Sequence, residues 1–185
     1  MTDWANRALN ALIAIAFVAA AIAYGSASPA QAEPAAADDL STALENRPAH
    51  VATNWNGVAA NGYDVVALII QGDLVKGDRD FETIHDGATY RFTNEANRSL
   101  FLKDPDALAP QYGGYGAMGI RVGKKIRPER TPAWQVADEK LFFFVDDSTK
   151  EMWNEDADAN QRVAEAIWGK IRNVPIAILM APATH

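Results

Sequence analysis

The residues of this chain best able to do chemistry are its three histidines and its acids, since it has no cysteine. His85 lies in the word Phe81-Glu-Thr-Ile-His85-Asp-Gly87-Ala-Thr-Tyr90-Arg-Phe92. An imidazole there can bind a metal or serve as a partly solvated surface group. His50 and His185 lie toward the two ends, so a cluster of imidazoles would need both tails to fold back. The absence of cysteine excludes thiol nucleophiles, iron–sulfur clusters and zinc–thiolate sites. Asp78, Asp80 and Glu82 alternate like the start of a calcium loop, as do Asp156, Asp158 and Asn160. Neither run continues with the glycine and the bidentate glutamate that such a loop needs. Solvated faces and helix-start acids account for both. Ser41, Ser99 and Ser148 occupy no nucleophile elbow, so nothing points to acyl transfer.

A second group of residues suggests binding. Gly114-Tyr-Gly116-Ala-Met-Gly119 has the spacing of a dinucleotide loop, but Pro110 precedes it and Pro128 interrupts any helix after it. The required strand–turn–helix context is missing. The better reading is a loop whose glycines let backbone pass close to Tyr112 and Tyr115. Phe142, Phe143 and Phe144 form a run in which the outer two rings face opposite to the middle one. A hairpin carrying that run is either covered on both sides or presents an apolar patch. The expectation is that Tyr112, Gly113, Gly114, Tyr115 and Phe143 form the floor of the main concave surface and contact a ligand or partner.

The elements that must position these groups follow from turn and cap signals. Residues 63–70 form a β-rich apolar run, read as a strand or short buried element. Residues 81–84 and 89–92 make a hairpin around Asp86-Gly87, because glycine tolerates positive φ in a tight turn. Thr93 or Asn94 caps a helix to about Leu102, with Ala96, Leu100 and Phe101 inward. Asp104-Pro105 ends that helix, and Asp106 starts another short one. A flexible glycine-rich loop covers residues 113–123. A second hairpin joins residues 134–137 to 141–145. Ser148 caps the next helix, and a last helix spans 157–171 with Val163, Ile167 and Ile171 on one stripe. Short strands and helices without βαβ alternation give an α+β class: a small single domain of short antiparallel hairpins with short helices and a C-terminal helix.

The order of three words resembles the YHS-domain family in its exported bacterial form. They are Asn61-Gly-Tyr-Asp-Val-Val-Ala67, the His85 word, and Asp104-Pro-Asp-Ala-Leu-Ala-Pro-Gln-Tyr112-Gly-Gly-Tyr115. The resemblance covers roughly residues 58 to 155. Cysteine-containing YHS domains carry H-x-G-x-x-Y-x-F followed by Cys, Ser and a second Cys, and they are associated with metal handling. His85, Gly87, Tyr90 and Phe92 match. Thr93 and Asn97 stand at the cysteine positions, Asn94 at the serine, and Gly116 where exported relatives usually carry another cysteine. The resemblance therefore implies copper as the alternative cofactor and His85 as a metal ligand. The residues present lack the soft co-ligands that such a site prefers, and the reading without a cofactor comes first.

Composition fits an ordinary globular protein, with 49% hydrophobic and 22% charged residues. A net charge of −7 argues against nucleic acid, which needs clustered cations. The basic run from Arg121 to Arg130, including Lys124, Lys125 and Arg127, reads as a solvated loop. Residues 8–24 are apolar apart from Asn10, and Ala30-Gln31-Ala32 precedes Glu33. This is the pattern of a signal peptide over 1–32. Retained, the same run would anchor the chain to the outer face of the membrane, as in an accessory subunit of a larger complex. A linker over 33–54, a domain over 55–173 and an apolar tail over 174–185 complete the organisation. The functional expectation is an exported, non-catalytic binding module in the periplasm for a protein partner or a small ligand. Its alternatives are metal handling and the anchored accessory role. Mass spectrometry of the native protein should find a mature N-terminus at Glu33; intact Met1 in a membrane fraction would establish the anchored form instead.

Overall fold

A computed structural model describes residues 48 to 179 apart from Glu129. All of these belong to the compact unit Asn46–His185. The segments expected to be a signal peptide or anchor, and most of the expected linker, lie outside the described residues. Among the described residues no helix is long and apolar enough to cross a membrane.

The fold is α+β. Two antiparallel hairpins are set among short helices. The first pairs β1 (Asp78–His85) with β2 (Ala88–Phe92). Its turn residues Asp86 and Gly87 have φ of 51° and 74°, the mirror-image turn that matches strand twist. Ala88, Tyr90 and Phe92 alternate inward from β2. Helix α1 (Glu95–Lys103) follows, capped by the Asn94 side chain, which accepts from the Asn97 N–H at 2.9 Å. Asp104 caps the one-turn α2 (Pro105–Leu108), with proline in its first turn. The second hairpin pairs β3 (Ala133–Ala137) with β4 (Lys140–Phe144). Helices α4 (Asp147–Asn154) and α5 (Ala157–Ile171) come after it.

β4 organises the core. Leu141 and Phe143 project into one apolar cluster with Tyr63, Val65, Val66, Leu68, Tyr90, Phe92 and Phe101. Phe142 and Phe144 project into another with Tyr112, Tyr115, Ile120, Trp153 and Ala164. All three phenylalanines are buried, so the hairpin is covered on both faces and leaves no apolar patch there.

Several local expectations change. Of the two readings of residues 63–70, a short buried element holds and a strand does not: Tyr63 to Leu68 are all buried. Asp64 turns the chain into a π-helical turn, Ala67–Gln71, by accepting from the Val66 and Ala67 N–H groups at 2.9 and 3.0 Å. Helix α1 turns Asn97 and Phe101 inward rather than Ala96 and Leu100. Asp146, not Ser148, caps α4 through a capping box with Thr149. Helix α5 buries Asn160 and Ala164, while Val163 is exposed. The cause is its close packing on α3 (Ala117–Arg121), where small residues meet and Arg121 donates to Asn160. The glycine-rich segment is built rather than loose: residues Gln111–Gly114 form a 3₁₀ turn and α3 follows. Tyr112, Gly113 and Gly114 all have positive φ there. A Cβ on Gly113 would collide with the His50 carbonyl, so only glycine permits this approach.

The core also begins earlier and ends later than the sequence suggests. Val51, Ala52 and Thr53 are buried, whereas Trp55 is exposed. Lys125 is buried and not solvated. Its Nζ donates to the carbonyls of Ala49, Arg172 and Val174, each at 2.7 Å. It thereby ties residue 49 to the end of α5. Desolvation pushes its ammonium down to about 8, which leaves it charged at neutral pH.

Asp64 is fully buried and joins two parts of the chain distant in sequence, its own turn and residues 93–97. Besides the two N–H groups of its own turn, its carboxylate accepts from the Thr93 N–H at 2.8 Å, the Thr93 hydroxyl at 2.9 Å and the Asn97 amide at 2.7 Å. Asp64→Ala strands all five donors. Chemical denaturation should show a loss of about 3–5 kcal/mol, as for other broken buried networks; a loss below about 1 kcal/mol would mean that the network does not hold the fold.

Candidate functional site

Three concave regions carry polar side chains that could meet a ligand. One, of about 550 Å³, lies open over Trp134, Gln135, Asp147 and Lys150. Another is a cleft of about 540 Å³ lined by Thr53, Asn54, Trp55, Asn61, Lys76, Arg127, Pro128 and Arg130. Local structure fixes its near wall. The Asn54 side chain accepts from the N–H groups of Asn56 and Val58, making a tight turn that carries Trp55 outward to 79% exposure. Thr53 bridges to Ala59, and Val58 bridges to Thr89 of β2, so the turn is held against the first hairpin. Lys76 donates to the Asn61 carbonyl at 2.7 Å, and its Nζ sits 3.3 Å from the centroid of the Tyr63 ring. The chain beyond α3 brings Arg127 and Arg130 to the opposite side.

At the base of this cleft is a niche of about 10 Å³, room for one water. It shares Thr53, Asn61, Arg127 and Pro128 with the cleft, and Ala52, Ala60, Gly114, Pro132 and Phe143 complete it. Thr53 is 3% exposed, and its hydroxyl oxygen has no hydrogen-bond partner among the described residues. A buried hydroxyl left unmade costs about 1–3 kcal/mol. Folds retain such groups where something else satisfies them.

The third region is a pocket of about 160 Å³ that includes His50, His85, Asp86, Tyr90 and Asp106. His85 Nε2 lies 3.2 Å from Asp106 and 3.9 Å from Asp86, and His50 Nε2 lies 3.5 Å from the same Asp86 oxygen. Phe101 meets the His85 ring edge-on at 5.8 Å between centroids. Burial and the Asp86 carboxylate raise the Tyr90 hydroxyl well above its ordinary range, so it stays protonated. Among the described residues no group of three or more histidine, aspartate or glutamate side chains is arranged to hold a metal ion.

The residues expected to share one binding floor are divided between these places. Gly114 and Phe143 lie at the niche, on the Trp55 cleft. Tyr112 and Gly113 line the histidine pocket, and Tyr112 also packs on Phe142 and Trp168 at 6.0 and 6.1 Å between centroids. Burial, helped by Glu165, raises the Tyr112 hydroxyl. Tyr115 reaches neither. It is 1% exposed, its hydroxyl donates toward the Ala49 and Val51 carbonyls, and desolvation raises its pKa. Sequence reasoning did not find Thr53, Trp55, Lys76, Arg127 and Arg130 as one site. The basic run was visible, but nothing in it indicated that two of its arginines face a threonine 74 or more residues earlier.

No protein-family model, no curated protein and no solved structure matches this chain. The site must be read from its own geometry.

Thr53→Val keeps the shape and removes the unpartnered hydroxyl. The melting temperature should hold or rise, by up to about 1 kcal/mol of stability. A comparable fall in calorimetry would show that the hydroxyl is satisfied in the empty protein.

Proposed function

We propose that this chain is an exported, non-catalytic binding module of the YHS type, holding a small ligand in the cleft beside Trp55. The observation that carries the reading is the buried, unpartnered Thr53 hydroxyl at a water-sized niche opening into a preformed cleft. A cleft of about 540 Å³ has the size of small-molecule sites, about 300–1,000 Å³. Its described lining holds amides, an indole and cations, and neither imidazole nor carboxylate. That set suits holding a molecule better than moving protons. The YHS reading itself rests on the resemblance of the Asn61, His85 and Tyr112 words. Export rests on residues 8–32, as does the anchored alternative.

Metal handling remains the second reading, favoured by the placement of His50 and His85 on either side of Asp86. Thr93 and Asn97, at the positions where thiolates would stand, are instead hydrogen-bonded to Asp64. Native mass spectrometry and elemental analysis of the protein from its own cell envelope separate the two. The binding reading predicts a small organic adduct and no stoichiometric metal. Copper at one equivalent, lost in His85→Ala, would overturn it.

A further inference from the structure

We infer that the ligand of the Trp55 cleft is a small anion, a carboxylate or phosphate ester, carrying a compact planar or apolar body. The inference rests on the binding reading above and adds the chemical class. The chain carries a net charge of −7, yet Lys76, Arg127 and Arg130 converge on this cleft and no described lining residue is an acid. The ion pairs among the described residues lie elsewhere, at Glu82–Arg91, Glu95–Arg98 and the histidine pocket. Neither Arg127 nor Arg130 is paired with a described acid. Both guanidiniums are exposed and line this hollow, and each is a fork that can bind a carboxylate or a phosphate in bidentate fashion.

Lys76 is a fixed charge rather than a loose one. Its ammonium is held by the Asn61 carbonyl and the face of Tyr63, and one of its three donors satisfies that carbonyl. The other side of the cleft is flat and apolar, with the Trp55 indole and Pro128. An aromatic or aliphatic body fits there, next to cations that would hold its anionic group. Below it, the niche accepts one polar atom or one water, and Thr53, whose hydroxyl has no partner among the described residues, is part of its lining. A concave site with three cations suits a compact anion. A nucleic-acid backbone would need a longer basic track.

The test is a titration of the mature protein followed by amide and indole chemical shifts, with affinity from calorimetry. The probes are phenyl phosphate and benzoate, with benzyl alcohol and benzylammonium as neutral and cationic counterparts. Phenyl phosphate or benzoate should shift the Thr53 and Asn61 amides and the Trp55 indole, and binding should weaken as salt rises. Arg127→Gln/Arg130→Gln, at exposed positions, should leave the melting temperature unchanged and weaken binding about tenfold or more. Thr53→Val should weaken it several-fold. The anionic group is shared by free esters and lipid headgroups. Co-sedimentation with phosphatidylglycerol vesicles, abolished by the double variant, would assign it to a headgroup; its absence alongside phenyl phosphate binding would assign it to a soluble ligand. Benzyl alcohol or benzylammonium binding the cleft as tightly as phenyl phosphate would overturn the anionic class and leave the binding module standing. If no probe of any charge shifts Thr53 or Trp55, the anionic class and the binding reading fall together.

Discussion

The buried carboxylate of Asp64 is the constraint on which the rest of this structure depends. A carboxyl group removed from water must be compensated, and among the described residues no cation pairs with this one. Five neutral donors do, two from its own turn and three from Thr93 and Asn97. The carboxylate thus decides that residues 67–71 coil and that α1 docks with Asn97 inward. It also fixes what precedes it. Tyr63 is held where its ring underlies Lys76, and Asn61 where its carbonyl receives that lysine. One wall of the cleft is therefore a consequence of the same network.

The other walls depend on β4. Its alternating aromatic residues separate two apolar clusters, and Phe143 closes the niche from below. Gly114 passes over that ring, and the Gly113 carbonyl accepts from the Ala52 N–H at 2.8 Å, placing Thr53 one residue further on. Lys125 holds residue 49 to the end of α5, and the chain beyond it delivers Arg127 and Arg130. The cleft is thus assembled from four parts of the chain, each fixed by its own polar contact, in a protein of modest size.

What was legible in the sequence was whatever rests on neighbours in the chain. Asp86-Gly87 predicted the first hairpin, the run at Phe142–Phe144 required two covered faces, and Asn94 was visible as a cap. Several of the misses share a physical origin in polar burial. Asn97 and Asn160 took core positions that hydrophobic periodicity assigns to apolar neighbours. Each does so because a partner far along the chain satisfies its amide: Asp64 for Asn97, and the Trp153 carbonyl, with Arg121, for Asn160. Lys125 is the same case with a charge. The candidate site was half visible for the same reason. Gly114 and Phe143 carried a local signal, whereas Thr53 matters only because the fold leaves its hydroxyl without a partner.

The functional reading joins a preformed hollow, a local reversal of the protein's overall charge and one unmade hydrogen bond into a single site. The histidine pocket lies on the other side of the Gly113 turn, with Tyr112 and Gly113 in its lining. It is filled with imidazole–carboxylate contacts of its own. A crystal structure of the protein soaked in phenyl phosphate tests the central claim most directly. The account predicts the phosphate within hydrogen-bond distance of Arg127 and Arg130, the ring against Trp55, and an ordered atom or water on the Thr53 hydroxyl. Phenyl phosphate ordered between His50 and His85, or a Trp55 cleft closed by the protein's own side chains, would contradict it.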